Sequence, residues 1–217
     1  MGRPTTDVHI CNLGFDLVKE TPISSLSSPT DKKSAFAARW YPVELESTLM
    51  AYNWNFALKS RAIQRGGTPE VSDYTDYYPF PNDYLRLRAI IDPDIPLTKR
   101  KYEIQGTNLF YNNDEETSID IWYTKLETEV SKYPALFIQV LAHRFALRAC
   151  KKFPAKASMT AEIRNDLKEL LMQARGADSQ IRPPKKYESS GLVNVGLNPG
   201  SSLGVAGDYE FPDGMDE

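Results

Sequence analysis

The spacing of apolar residues predicts helices at the start of the chain. Val8, Cys11 and Phe15 recur every three or four residues, which places them on one face of a helix. The same spacing predicts a second helix over 32–41. Proline is well tolerated in the first turn of a helix, so we expect a third helix to begin at Pro42.

Helical spacing returns in the last third of the chain. Between residues 134 and 153 the apolar positions cover most of the helix circumference, which is typical of a helix buried among others. A final amphipathic helix is predicted over 159–175, with Gly176 as the residue that ends it. Beyond Gly176 no period survives, and we expect residues 177–217 to be extended or disordered until a partner orders them.

The middle of the chain alternates instead. Residues 84–91 alternate as a strand does, with Arg86 and Arg88 on one face. Four apolar residues share the other face: Leu85, Leu87, Ala89 and Ile91. Gly106-Thr107 separates two short apolar segments and predicts a tight hairpin. Residues 66–80 resemble a long loop. These patterns indicate an antiparallel meander of about four or five strands.

The elements together predict an α+β fold. A helical bundle forms from residues 1–53 and 134–176, and an antiparallel strand-rich segment, 54–133, is inserted into it. Residues 177–217 form an extended C-terminal tail.

Charge divides the chain at the start of the tail. The net charge of the whole chain is −3, from 26 basic and 29 acidic residues. Residues 187–217 contain six acidic residues and no Lys or Arg, so residues 1–186 carry +3. No apolar segment approaches the roughly 20 residues of a membrane helix, and the start of the chain does not resemble a secretory signal. We expect no membrane partner.

Residues with catalytic or metal-binding chemistry are sparse. Cys11 and Cys150 cannot form a disulfide framework, and a reducing compartment is expected. His9 and His143 lie in predicted helices without metal-ligand spacing. The chain has no phosphate-binding glycine loop and no nucleophile elbow. The acid pairs Asp73/Asp76 and Asp92/Asp94 are typical of turns. We predict no catalytic, cofactor-binding or metal-binding residues.

Three groups of residues are candidates for contacts with other molecules. A basic stripe on the helix over 134–153 could contact DNA or another subunit; it comprises Arg144, Arg148, Lys151 and Lys152. Aromatic residues in the loop over 66–80 are of the kind that anchor interfaces: Tyr74, Tyr77, Tyr78 and Phe80. The tail contributes a third group, Tyr187, Tyr209 and Phe211.

Two segments resemble a known family. Trp54-Asn55-Phe56-Ala57 follows the helices, and a second stretch runs from Tyr78 to Leu87 with the sequence YPFPNDYLRL. With the order of elements over residues 5–176, they resemble the head-to-tail adaptor of short-tailed bacteriophages, the tail tubular protein A or gatekeeper family. In physical terms, Trp54 and Phe56 would wedge the helices against the first strand, which the resemblance places at 58–64. Residues 81–83 would form a turn that sets the register of the next strand.

The resemblance implies a structural protein of the virion. Members form a dodecameric ring between the portal protein and the tail nozzle (tail tubular protein B), and the genome passes through the ring without sequence recognition. The tail fibre is a further candidate partner. The resemblance assigns the tail aromatics to the portal and the loop aromatics to the nozzle or a neighbouring subunit. It implies no enzyme activity and no cofactor.

Two alternatives remain open from the sequence. A small tail-associated cell-wall hydrolase would need a coupled carboxylate pair, such as Asp73/Asp76, in a cleft. A weak DNA-binding protein would use the stripe that contains Arg144 and Arg148.

Overall fold

The computed structural model describes residues 5–70, 73–91, 101–112, 117–153 and 156–181. In these ranges the fold is α+β, as the sequence predicted. The helices are α1 (Asp7–Leu17), α2 (Lys32–Met50), α3 (Ala135–Cys150) and α4 (Ala157–Gln180). The strands are β1 (Leu58–Gln64), β2 (Asp76–Pro79), β3 (Tyr84–Ile91), β4 (Tyr102–Gln105), β5 (Asn108–Tyr111) and β6 (Ser118–Lys125).

Helix α1 has well-defined ends. The backbone N–H of His9 donates to the Thr6 hydroxyl over 3.3 Å, which satisfies one of the free amides at the helix start. At the other end Lys19 adopts a left-handed conformation with φ of 59°, and the N–H of Glu20 donates to the Phe15 carbonyl. The face containing Cys11 and Phe15 is fully buried. The helical prediction for this segment is confirmed.

Helix α2 continues through Pro42, so the prediction of two separate helices is wrong. Proline removes one backbone hydrogen bond and typically costs about 3 kcal/mol inside a helix. The apolar face nevertheless continues without a break from Tyr41 to Leu45 and Leu49, all of which are buried. Burial of that face outweighs the missing hydrogen bond.

Helix α4 extends beyond Gly176, and the predicted end of the helix is therefore wrong. Two residues later Asp178 is buried, and its carboxylate accepts the N–H of Asn55 over 3.0 Å. The Asn55 side-chain amide also donates to the Asp178 carbonyl over 2.6 Å. These contacts hold an extra turn of helix that the sequence placed in the tail.

The strands form two antiparallel sheets, where the sequence predicted one meander. The first has the order β1-β6-β3 and the second β2-β5-β4. The β4–β5 hairpin is confirmed, and Gly106 in its turn has a φ of 57° that favours glycine. β1 pairs instead with β6, far along the chain, and this pairing places Ile63 opposite Ile119 in one buried cluster.

Strand β3 carries two bulges that change which residues are buried. Its pairing with β6 skips one residue at Leu85 and another at Arg88. Each extra residue shifts the inward-facing set by one position. As a result Ile90 is 2% exposed and Ile91 is 38% exposed, whereas simple alternation had placed Ile91 on the buried face.

The two segments of the family resemblance meet where the helices join the sheets. Trp54 is buried, donates its indole N–H to the Thr48 carbonyl over 2.8 Å and packs edge-on against Phe137. From β3, Arg86 donates to the Met50 carbonyl over 3.0 Å, and Arg88 donates to the Trp54 carbonyl over 2.5 Å. Arg86 thus binds the strand to the last residue of α2, and Arg88 binds it to the segment that follows the helix.

Asp83 joins three strands at the start of β3. Lys59 on β1 donates to one carboxylate oxygen over 2.7 Å, and the Tyr123 hydroxyl on β6 donates to the other over 2.8 Å. The Tyr84 N–H donates to the Pro81 carbonyl over 2.9 Å, which closes the expected turn. Burial opposes ionisation, but the hydrogen bonds from Lys59 and Tyr123 outweigh it, so the pKa of Asp83 is lowered.

Gly14→Ala should destabilise the protein by about 1–3 kcal/mol. A Cβ at this position would lie 2.7 Å from the Phe145 ring and 2.9 Å from the Ala142 carbonyl oxygen, so α1 would have to move away from α3. The free energy of unfolding in urea measures the effect.

Gly176→Ala is the matched control within a helix. Nothing lies within 4 Å of a Cβ placed there, so the alanine should stabilise the protein by up to about 1 kcal/mol. Equal effects of the two substitutions would contradict the close approach of α1 to α3.

Asp83→Asn should reduce the loss of stability in acid. Because the folded pKa of Asp83 is lowered, its ionised form contributes stability fully above the unfolded pKa of about 4. That contribution disappears as pH falls through the folded pKa. The free energy of unfolding in urea, plotted against pH between about pH 2 and pH 5, should have a shallower slope for the variant than for the wild type. In a protein that already carries Lys59→Met, Asp83→Asn should change the slope of the unfolding free energy against pH less than it does in the wild type. Identical slopes in all variants would contradict a stabilising role for ionised Asp83.

Candidate functional site

A basic cleft lies between the first half of α2 and the C-terminal end of α3. Its volume is about 600 Å³. Five cationic side chains line it together with Trp40: Lys32, Arg39, Arg148, Lys151 and Lys152. The amphipathic pattern of α2 buries Phe36 and Tyr41, which leaves Lys32 and Arg39 on the exposed side that faces the end of α3.

Glu44 holds two of the predicted basic residues in place. Its carboxylate is almost completely buried and accepts the Arg148 Nε–H over 2.7 Å. Arg144 approaches the other oxygen at 3.5 Å and donates to the Ser47 hydroxyl over 3.0 Å. The Arg148 guanidinium also lies 4.3 Å from the centre of the Trp40 ring, a cation–π distance.

The predicted basic stripe is therefore two different groups. Arg144 and Arg148 bind Glu44 and fasten α3 to α2, so much of their charge is neutralised within the protein. Lys151 and Lys152 are exposed. The stripe does not act as one uniform surface for DNA, although all four positions remain candidates for contact with a partner.

The four outer cations of the cleft are the residues available to a ligand. Lys32, Arg39, Lys151 and Lys152 are all exposed, and none forms an ion pair with a carboxylate in the described part of the chain. Four cations around a recess attract carboxylates or phosphates, and partial desolvation strengthens that attraction relative to a flat surface. The geometry suits binding of an anionic group.

The loop aromatics are placed differently from the prediction. Tyr78 and Phe80 are buried in the core of the sheets, and Phe80 stacks on Tyr84 with ring centres 3.7 Å apart. Tyr74 and Tyr77 are half-buried. The expectation that all four are exposed interface anchors is wrong for Tyr78 and Phe80, because residues 76–79 form β2 and pair with β5.

The carboxylate pair of the hydrolase alternative is divided between two environments. Asp76 is buried, forms an ion pair with Arg65 and accepts the Thr75 hydroxyl over 2.8 Å. Asp73 is exposed on the bend before it. The described contacts of Asp76 are those of a structural carboxylate, and this arrangement does not favour acid–base work by the pair.

Several predicted residues lie outside the described part of the chain. They include Asp92, Asp94 and the tail aromatics Tyr187, Tyr209 and Phe211. His9 and His143 lie on α1 and α3 as expected. Cys11 is buried, and burial, with Asp7 nearby, raises the pKa of its thiol far above the usual range. The described residues contain no group of three or more His, Cys, Asp or Glu able to hold a metal ion.

The sequence reading missed a set of exposed apolar side chains. On α4, Met172 is 68% exposed, and Ile181 directly after the helix is 66% exposed. Val43 and Met50 on α2 are also exposed, as are Tyr102 and Ile104 on the edge strand β4. The helical spacing could have revealed Met172, since this residue lies outside the apolar face formed by Ile163, Leu167 and Ala174.

Comparison with known protein families and with curated proteins finds no match to this chain. No helix in the described ranges is both long enough and apolar enough to cross a membrane.

Glu44→Gln should destabilise the protein by about 1–3 kcal/mol. Loss of the carboxylate leaves two arginines without their counter-charge at the α2–α3 contact. The cost is below that of a fully buried pair because both arginines retain access to water. Chemical denaturation measures the free energy of unfolding. High salt should reduce the difference in this free energy between the variant and the wild type.

Glu46→Gln is the matched control on the same helix. Glu46 is exposed, so its substitution should change stability by less than about 0.5 kcal/mol. A similar cost at positions 44 and 46 would show that helix charge, and not the arginine pairing, is responsible.

Proposed function

We propose that this chain is a structural virion protein, the ring-forming adaptor that joins the portal to the tail nozzle of a short-tailed phage. Its ring forms part of the channel through which the genome leaves the capsid. The resemblance of Trp54–Ala57 and Tyr78–Leu87 to the adaptor family is the reason for proposing this role. Its action is through interfaces, without a catalytic step or a cofactor.

The exposed apolar surface of α4 is the observation that carries the proposal. This helix has 24 residues, of which only Ile163, Ala174 and Asp178 are buried. Met172 in the C-terminal half of α4 and Ile181 directly after the helix each have about two thirds of their surface open to water. Exposed apolar side chains rimmed by polar ones are typical of protein–protein contacts. Side-by-side packing of helical parts would cover them and close a ring.

A firm connection between helices and strands also supports an adaptor role. An adaptor transmits force between two partners, so its two parts must not separate. Arg86 binds β3 to the end of α2, and Arg88 binds it to the segment that follows. Asp178 binds α4 to Asn55 in that same segment. These hydrogen bonds involve the segments that carry the family resemblance.

The internal neutralisation of Arg144 and Arg148 fits passive passage of DNA. A channel for the genome must not retain phosphates tightly, since each cation–phosphate contact adds to affinity. Because Glu44 binds both arginines, they offer less free charge than the sequence stripe implies.

Met172→Asp should prevent or weaken ring assembly by about tenfold or more without unfolding the protein, because it introduces a charge into an apolar contact. Light scattering of the full chain, alone and mixed with the portal protein of the same phage, measures assembly. Thermal unfolding of the unassembled variant should match the wild type, since Met172 is exposed.

Met172→Leu is the matched control and should assemble normally, because it keeps an apolar side chain of similar volume. If the wild-type chain neither forms a ring nor binds the portal protein, the adaptor proposal is wrong. If Met172→Asp assembles as well as the wild type, the ring contact lies elsewhere.

A further inference from the structure

The basic cleft adjoins a second recess on the other side of Arg148. This recess has a volume of about 300 Å³ and lies between α3 and α4. Arg148 and Lys151 line both spaces, so the two form one groove that reaches from α2 across the end of α3 to α4. Each volume is within the range of typical ligand pockets, about 300–1,000 Å³.

Apolar side chains form part of the wall on both sides of the groove. In the basic cleft they belong to α2 and comprise Ala35, Phe36 and Trp40. In the second recess they are three half-buried leucines of α3 and α4: Leu147, Leu167 and Leu171. The groove therefore offers apolar contacts on either side of a cationic middle.

Most of the positive charge of the groove has no counter-charge in the described part of the chain. There Arg148 pairs with Glu44, whereas no carboxylate lies within ion-pair distance of the four outer cations: Lys32, Arg39, Lys151 and Lys152. Two of these cations stand on α2 and two at the end of α3, so an anionic group in the groove is approached from both sides.

We propose that the groove binds an acidic segment of a partner protein, in which a large apolar side chain is flanked by Asp or Glu. The carboxylates of the segment pair with the four outer cations. Its apolar side chains contact Trp40 or the three leucines. The proposal concerns the groove itself and goes beyond the adaptor function, on which it does not depend.

The apolar walls favour a protein segment over nucleic acid. DNA contacts proteins mainly through its phosphate and sugar oxygens, which match the cations but not Phe36, Trp40 or the leucines. A protein segment carries carboxylates and apolar side chains side by side, as interfaces with an apolar centre and a polar rim do. Burial of the apolar walls then adds to the ion pairs, which are individually weak near water.

The net charge of the chain makes acidic ligands a discriminating probe. The whole chain carries −3, so its overall charge does not attract an acidic peptide. Binding of such a peptide has to come from a local cluster of cations.

Selection of peptides on the immobilised full chain tests the proposal, with a random library of peptides about 12 residues long. We expect the enriched peptides to combine Asp or Glu with an aromatic or a large aliphatic residue. Fluorescence anisotropy then measures the Kd of the strongest peptide. This Kd should rise several-fold between about 50 and 300 mM salt, because salt screens the ion pairs.

A double substitution locates the binding. Lys151→Gln/Lys152→Gln should raise the Kd of that peptide about tenfold or more, because it removes two of the four outer cations. Arg61→Gln/Lys101→Gln is the matched control. It removes two exposed positive charges from the strand-rich part of the chain and should change the Kd less than about twofold.

Position 35 separates the effect of charge from that of size. Ala35 is an exposed residue in the wall of the cleft. Ala35→Glu places a carboxylate among the cations and should raise the Kd about tenfold, whereas the uncharged Ala35→Gln should stay within about threefold of the wild type. Both variants should unfold at the same temperature as the wild type, because the side chain at position 35 is exposed.

Three results would overturn the proposal. The first is a selection that enriches no peptides, or peptides without acidic residues. The second is the same Kd for the wild type and for Lys151→Gln/Lys152→Gln. The third is displacement of the peptide by an equimolar DNA duplex at physiological salt, which would assign the groove to phosphates.

Discussion

Helix α3 supplies the surface on which the other three helices pack. Phe137, Leu141 and Phe145 along its length are fully buried, and α1, α2 and α4 each contact it. The closest approach is at Gly14, where the absence of a side chain lets α1 rest directly on the ring of Phe145. The charged contact of Glu44 with Arg144 and Arg148 lies at the edge of this packing, where water still reaches the arginines. It therefore lies at the boundary of the apolar cluster around α3.

The end of α2 and the residues after it connect the helices to the sheets. Its last carbonyls and those of the residues that follow accept hydrogen bonds from Trp54, Arg86 and Arg88. The bulges in β3 make this possible, because they turn Leu85 towards the helical core and Leu87 and Ile90 towards the core of the sheets. One strand thus belongs to both cores. The segments that suggested a phage adaptor are in this way determinants of how the helices and sheets are joined.

The surface chemistry follows from the same packing. Enclosure of α3 uses the apolar faces of α1 and α2, and what remains outside is a cationic recess at one end of α3 and exposed apolar residues on α4. The recess suits binding of an anionic group, and the exposed apolar residues are those that we propose to be covered by a neighbouring copy of the protein. The candidate acid–base groups lie elsewhere: Asp76 is bound to Arg65, and the histidines lie apart on α1 and α3.

Local patterns in the sequence determined α1, the α3 periodicity, the β4–β5 hairpin and the α+β class, because each depends on residues close together in the chain. The predicted helix boundaries at Pro42 and Gly176 are wrong, since the burial of Leu45 and the contacts of Asp178 with Asn55 depend on distant partners. The expectation that Tyr78 and Phe80 are exposed is also wrong, because they pack against residues that are distant in the chain. The pairing of β1 with β6, the bulges of β3 and the neutralisation of Arg144 by Glu44 were decided only by the tertiary structure. They depend on which distant groups share a core or a charge, and no local period encodes that.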